Sequence, residues 1–183
     1  NTSGTGILTN ATKTSWATQV GYTTDQWSVS AIANLKYNGW SDTYYHSLGH
    51  SPSPSCSTCN FTAVGIRSWW RPSETGTATP SISVCYDTTE YDTASANQDS
   101  SSAYFVGLNW NDIFQADDLI GLAFGQPQTR EDETVDPFAW EAYYSFKVND
   151  SVTVTPTVFG GTDRNGTAGD DIFGTVLQTT FKF

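Results

Sequence analysis

The last eleven residues, Phe173 to Phe183 (FGTVLQTTFKF), constrain the fold more tightly than any other part of the chain. Phe173, Thr175, Leu177, Thr179, Phe181 and Phe183 fall on one side of an extended strand, and Gly174, Val176, Gln178, Thr180 and Lys182 on the other. One side is apolar, and the sequence closes on an aromatic residue with no polar tail. A terminal strand in water gains little from such an ending, because chain ends fray. In the closing strand of a transmembrane β-barrel, by contrast, one side faces lipid and the terminal aromatics sit at the membrane boundary.

The composition points the same way. Aromatic residues make up 14% of the chain, yet no apolar run approaches the ~20 residues a spanning helix needs. Gly, Ser, Thr, Asn and Asp are abundant and Leu, Lys and Glu sparse, which favours strands and turns over helices. A net charge of −11 with only 8 Lys plus Arg argues against nucleic acid as a partner. No break in composition divides residues 1–183, so one domain is expected.

Alternation of period two predicts about nine strands. Between Gln26 and Tyr37, the residues Trp27, Val29, Ala31, Ala33, Leu35 and Tyr37 share a face whose two ends are aromatic. Shorter patterns of the same kind run through Trp16–Tyr22, Thr62–Trp70, Ile82–Tyr86, Tyr104–Trp110, Ile120–Phe124, Phe138–Lys147 and Val152–Phe159. Pro156 is the one flaw, expected to require a bulge. Trp16, Trp27, Tyr37, Trp110, Trp140, Phe173, Phe181 and Phe183 are the expected aromatic girdle. Lys36, Arg67, Arg71, Glu141, Tyr143, Lys147, Gln178 and Lys182 have the opposite parity and are expected to line a watery lumen, where Trp69 and Tyr143 could stack on a solute. The Gly121, Ala123 and Gly125 face suits close approach by a folded-in loop.

The predicted connections alternate. Thr23–Asp25, Asn111–Asp118 and Asn149–Ser151 are short and Pro72–Pro80 intermediate, whereas Asn38–Asn60, Asp87–Ser100, Gln126–Asp136 and Gly160–Asp170 are long. Short turns on one side and long loops on the other are expected of an outer-membrane barrel with its carboxyl end on the periplasmic side. Nine is odd and bacterial single-chain barrels are even. Either a strand near Gly6–Thr9 goes unread, or the chain is the C-terminal part of a larger barrel of roughly 16 strands.

The stretch Asp136–Asn165 (DPFAWEAYYSFKVNDSVTVTPTVFGGTDRN), followed by Asp170–Phe183, resembles the cyanobacterial outer-membrane porins related to OprB-type carbohydrate-selective porins. Ser101–Pro127 is similar to that family's Trp-containing strand, short turn and Gly-Ala-Gly return strand. The resemblance covers roughly the last 80 residues, and the first hundred share strand rhythm rather than motif. It implies an all-β, antiparallel up-and-down transmembrane barrel in the cell outer membrane, homotrimeric, passing inorganic ions or carbohydrates by passive diffusion. It also implies an N-terminal signal peptide and wall-binding domain ahead of the barrel.

Enzymatic chemistry finds no foothold, since no nucleophile elbow, phosphate loop or H-E-x-x-H motif occurs. Cys56 and Cys59 form a C-x-x-C expected to close a small loop disulfide, leaving the Cys85 thiol unpaired. Adding His46 and His50 does not make a usual zinc spacing, so neither metal nor cofactor is expected. Asp117–Asp118, Glu131–Asp132–Glu133 and Asp170–Asp171 are expected to be solvated acidic turns. The rival fold is a secreted soluble β-sandwich, an adhesin or carbohydrate-binding module, which also suits alternating strands and acidic loops.

Overall fold

Runs rich in Val, Thr and aromatic residues fit a pleated surface, and here they become long strands. The computed structural model describes residues 12–38, 60–92, 100–131 and 133–183. The strands are β1 (Thr14–Thr23), β2 (Trp27–Tyr37), β3 (Asn60–Trp70), β4 (Ser81–Asp92), β5 (Ser100–Asn111), β6 (Leu119–Arg130), β7 (Phe138–Asn149), β8 (Val152–Thr162) and β9 (Ile172–Phe181). They form one antiparallel up-and-down sheet in chain order, β1 to β9. The sheet is not closed: among the described residues, β1 and β9 each pair along one edge only. His46, His50, Cys56, Cys59 and the Gly6–Thr9 segment lie outside the described residues.

Several boundaries differ from expectation. β4, β5 and β6 run on to Asp92, Ser100 and Arg130, so the connections over 93–99 and 131–137 are no longer than the 112–118 turn. The asymmetry of loop lengths therefore rests mainly on the 38–59 connection against the short turns at 24–26 and 150–151. Pro156 needs no bulge. Tyr143↔Thr157 and Phe146↔Val154 keep one register across it, and Pro156 faces Leu177 in register on the other side. Opposite this stretch, the Thr155 hydroxyl donates to Ser145 Oγ at 2.8 Å. The bulge is at Pro127 instead, where the β5–β6 register slips between Ser102↔Thr129 and Tyr104↔Gln126. β6 pairs with β7 only as far as Gly125↔Ala139, so a residue lacking an N–H falls where one edge is unpaired.

The registers also set a stagger. One continuous row runs Tyr22–Val29–Ser68–Val84–Val106–Phe124–Trp140–Gly160–Phe173. It crosses β1 one residue from its Thr23 end and β9 one residue from the opposite, Ile172, end. The strands thus slide by nearly one residue per pairing. With about 3.3 Å per residue and about 4.8 Å between strands, they tilt by about 30° from the perpendicular to the line of their ends.

Following that row puts every apolar alternation on the same face. Trp16, Val20 and Tyr22 of β1 continue through Ile66 of β3, Val84 of β4 and Leu108 of β5 to Leu177 and Phe181 of β9. This face is uncovered: Val20 is 72% exposed, Phe173 70% and Leu177 69%. Among the described residues the buried apolar side chains are those of Phe61, Ala103 and Pro137, whereas Asn34, Lys36, Thr89, Ser101, Asp118, Gln128 and Thr129 are polar and buried. Hydrophobicity is arranged inside out relative to a domain folded in water, whose core would hold most of its large apolar side chains.

The turns hold their shape through side-chain caps. The hydroxyl of Thr24 accepts the N–H groups of Gln26 and Trp27, and Asn149 Oδ1 accepts that of Ser151. The turn over 112–118 is the most heavily bonded. Asp118, 1% exposed, accepts the N–H groups of Ile113 (2.8 Å), Phe114 (3.0 Å) and Gln115 (3.1 Å) and the hydroxyl of Tyr144 (3.0 Å). Burial pushes its carboxyl pKa up, but the donors on Phe114, Tyr144, Gln115 and Ile113 outweigh burial and hold it below the ordinary carboxylate value. The ionised form therefore stabilises the fold above about pH 4, and that stability is lost as pH falls through the folded-state value. Asp118→Asn is expected to lower the urea midpoint near neutral pH and to flatten its dependence below about pH 4. Tryptophan fluorescence during urea titrations over the acid range checks this.

Candidate functional site

The polar face is concave. Arg67, Cys85, Phe105, Ala123, Glu141, Phe159 and Ile172, one residue from each of β3 to β9, line a single cleft of about 880 Å3. Laid flat, seven strands would spread over about 29 Å, so a shared cleft requires the sheet to bend around this face.

The floor of the cleft is small and its margins are aromatic or charged. A row crosses it as Arg67–Cys85–Phe105–Gly125–Ala139–Gly161–Ile172. In a second row Glu141 lies between Ala123 and Phe159. Arg67 and Glu141 are both exposed, and among the described residues neither side chain makes a hydrogen bond or ion pair. Asp87 lies half-buried beside Arg67, its carboxylate folded over Gly65. Arg164, at the cleft's rim, is paired with Asp170 at 3.2 Å. Cys85 is a free thiol in the cleft wall.

Glycines let side chains lie flat against the sheet and keep the concavity open. The Tyr143 ring covers Gly121, and its hydroxyl donates to Asn109 Oδ1 at 3.0 Å. Phe159 covers Gly174 directly across the β8–β9 pair. Gly121 is thus covered by a neighbouring ring, and Gly125 by the backbone of Tyr104 and Phe105, where the sequence pointed to a folded-in loop.

Of the residues expected to line a lumen, the structure places Arg67, Glu141, Tyr143 and Gln178 on the concave face. Lys36 shares that face but is only 2% exposed. Arg71, Lys147 and Lys182 stand at the ends of strands. Arg71 lies beyond β3, where its Nε donates to the Asp25 carbonyl at 2.6 Å and its guanidinium sits 5.3 Å from the Trp69 ring centre. Lys147 pairs with Asp117 at 2.7 Å, and Lys182 donates its backbone N–H to Ser151. With Arg71 over it, Trp69 stands at the rim as well.

The expected girdle residues all have apolar-face parity. Trp16, Tyr37, Trp140 and Phe173 stand toward one margin, Trp27, Trp110 and Phe181 toward the other, and Phe183 follows β9 at the second. Tyr22 packs on Trp27 at 5.4 Å and Trp140 on Phe173 at 6.3 Å. Tyr86 and Tyr104, paired across β4 and β5, extend the first margin, because beyond them this face turns to Thr88, Glu90 and Ser102. Phe173 and Phe181 stand eight residues apart on β9. At a tilt of about 30° that separation is about 23 Å along the band.

Sequence reasoning missed Asp87, Phe105 and Phe159 as cleft residues. Asp87 hid because β4 turns polar on both faces beyond Tyr86, which erases the alternation. Phe105 and Phe159 carried a signal that could have been used, an aromatic of lumen parity inside an otherwise clean strand.

The acidic turns serve local structure. Asp118 is fully engaged with donors and Asp117 holds Lys147; Asp163 Oδ1 accepts the Gly169 N–H, and Asp171 accepts that of Asp163. Asp132 lies outside the described residues. Among the described residues no group of three or more His, Cys, Asp or Glu is placed to hold a metal ion, and no helix is long and apolar enough to cross a membrane. No known family, curated protein or solved structure matches the chain.

Proposed function

We propose that the chain forms wall of an outer-membrane β-barrel porin, with the apolar face against lipid and the concave face lining a watery path for small hydrophilic solutes. One observation carries this reading: a predominantly apolar face runs across all nine strands and stays exposed, while most of the buried side chains among the described residues are polar. A water-soluble sandwich would cover one face of such a sheet with another sheet. The stagger of nearly one residue per strand, the 10- to 12-residue strands and the aromatics at both margins are the dimensions of a spanning barrel. Carbohydrates or inorganic ions as solutes, and a homotrimer as the assembly, follow from the resemblance to the cyanobacterial porins and belong to the same proposal.

Parity adds a condition on closure. β1 and β9 run in the same direction, since nine antiparallel strands separate their outer edges. An antiparallel seam therefore needs an odd number of further strands between them.

The test is conductance across a planar bilayer. Channels are expected, and because Cys85 lies in the cleft wall, a charged, membrane-impermeant methanethiosulfonate reagent should lower their conductance. Cys85→Ser should make them insensitive. Absence of channels, together with solubility in detergent-free buffer, would instead favour the sandwich.

A further inference from the structure

Two exposed charges of opposite sign share the cleft, with the Asp87 carboxylate beside Arg67 and the Phe105 ring midway between Arg67 and Glu141. Arg67 of β3 and Glu141 of β7 are exposed and make no side-chain bond among the described residues. On the strands between them stand Cys85 of β4, Phe105 of β5 and Gly125 and Ala123 of β6, so the half of the span next to Glu141 has side chains that end at or before Cβ. An aromatic ring flanks each charge. Phe105, 42% exposed, is two strands from Arg67 in the same row, and Phe159 is directly opposite Glu141.

An exposed phenylalanine on the polar face of a sheet whose other face is apolar is out of place for a path that only wets ions. The ring cannot help hydrate a passing ion, but it offers a surface to an apolar group. Four strand spacings separate Arg67 from Glu141, about 19 Å along the sheet and less across the bend. From bond lengths of about 1.5 Å each side chain reaches roughly 6 Å, which leaves a gap on the order of 7 Å. That gap accommodates a group bearing a carboxylate and an ammonium, each bonded at about 2.8 Å.

Resting on the pore reading above, we propose that this cleft is a transient binding station for zwitterionic solutes with an apolar or aromatic side chain, of the amino-acid class. Arg67 takes the carboxylate and Glu141 the ammonium, while the side chain lies on the exposed Phe105 ring beside the Gly125–Ala139 floor; Phe159 is already laid over Gly174. Neutral polyols lack the charges, and single ions lack the apolar group.

The experiment uses the purified full chain in planar bilayers at neutral pH, with L-phenylalanine and glycine as probes. Phenylalanine is expected to reduce conductance at a concentration about tenfold lower than glycine does. Phenylacetate and phenethylamine, which carry one charge each, should both be weaker than phenylalanine on the unaltered protein. Phe105→Leu should retain most of the preference for phenylalanine over glycine and Phe105→Ser lose it, with a heat-dependent gel shift confirming that each variant is folded. Open channels on which phenylalanine and glycine act at equal concentrations would overturn the station and leave the pore standing. A folded protein that forms no channels would overturn the pore reading and the station with it.

Discussion

Val84→Arg is expected to lower sharply the fraction that folds into lipid bilayers, while Ser83→Arg, one residue away, folds almost as well as the unaltered chain. Val84 stands mid-band on the apolar face, between Ser68 and Val106, and is 42% exposed. If that exposure is to water, arginine there is a surface substitution worth within about 0.5 kcal/mol. If it is to hydrocarbon, the charge costs about 2–4 kcal/mol near the bilayer midplane. Ser83 has the opposite parity, facing Trp69 and Gly107 on the concave side, so arginine there meets water. It should narrow the path and lower conductance without blocking insertion. The measurement is the fraction refolded into liposomes, read by the heat-dependent gel shift. Equal refolding of both variants, with Val84→Arg soluble in buffer, would remove the membrane from the account.

Gly125→Ala should be far more damaging than Gly121→Ala, although the two glycines lie on one face of one strand. A Cβ at Gly125 would run into the carbonyl oxygen of Tyr104 and stand 3.0 Å from Phe105 Cα, both backbone atoms of the paired strand. Relief requires the β5–β6 pairing to move just beside the Pro127 bulge, where the register already slips. Overpacking that displaces backbone costs about 1–3 kcal/mol or more, and here it also threatens the register. At Gly121 the obstacle is the Tyr143 ring. A side chain can swing into the open cleft at the expense of its bond to Asn109, a loss of about 1 kcal/mol. Thermal or urea unfolding of the two variants should separate them clearly. Similar midpoints would mean that β6 is not packed against β5 as described.

The nine strands and the parity of every face were legible in the sequence because each face meets one environment along its length. Residues such as Trp27 to Tyr37 therefore alternate without exception on the apolar side. Legibility failed wherever that contrast disappears. Beyond Tyr86, Tyr104 and Gln126 both faces are mostly polar, so β4, β5 and β6 continue for several residues with no periodic signal, and nothing in the sequence marks Asp87 as a strand residue. Prolines were ambiguous for a related reason. A missing N–H matters only where a partner strand asks for it, and sequence alone does not tell Pro156, held in register, from Pro127, seated in a bulge.

The site was legible only in part. Parity put Arg67, Glu141 and Lys147 on one face, but it carries no information about height along tilted strands. The registers place Lys147 at the rim against Asp117 and bring Arg67 and Glu141 to the walls of one cleft. By itself the sequence determined an all-β chain of alternating strands with one greasy side, including the terminal Phe173–Phe183, because side-chain direction in a strand is a local property of period two. Only the tertiary structure decided the stagger, the bend around the polar face, the bulge at Pro127 and the meeting of Arg67, Phe105, Phe159 and Glu141. Each of those depends on which residues pair across strands, and pairing is a property of the whole sheet.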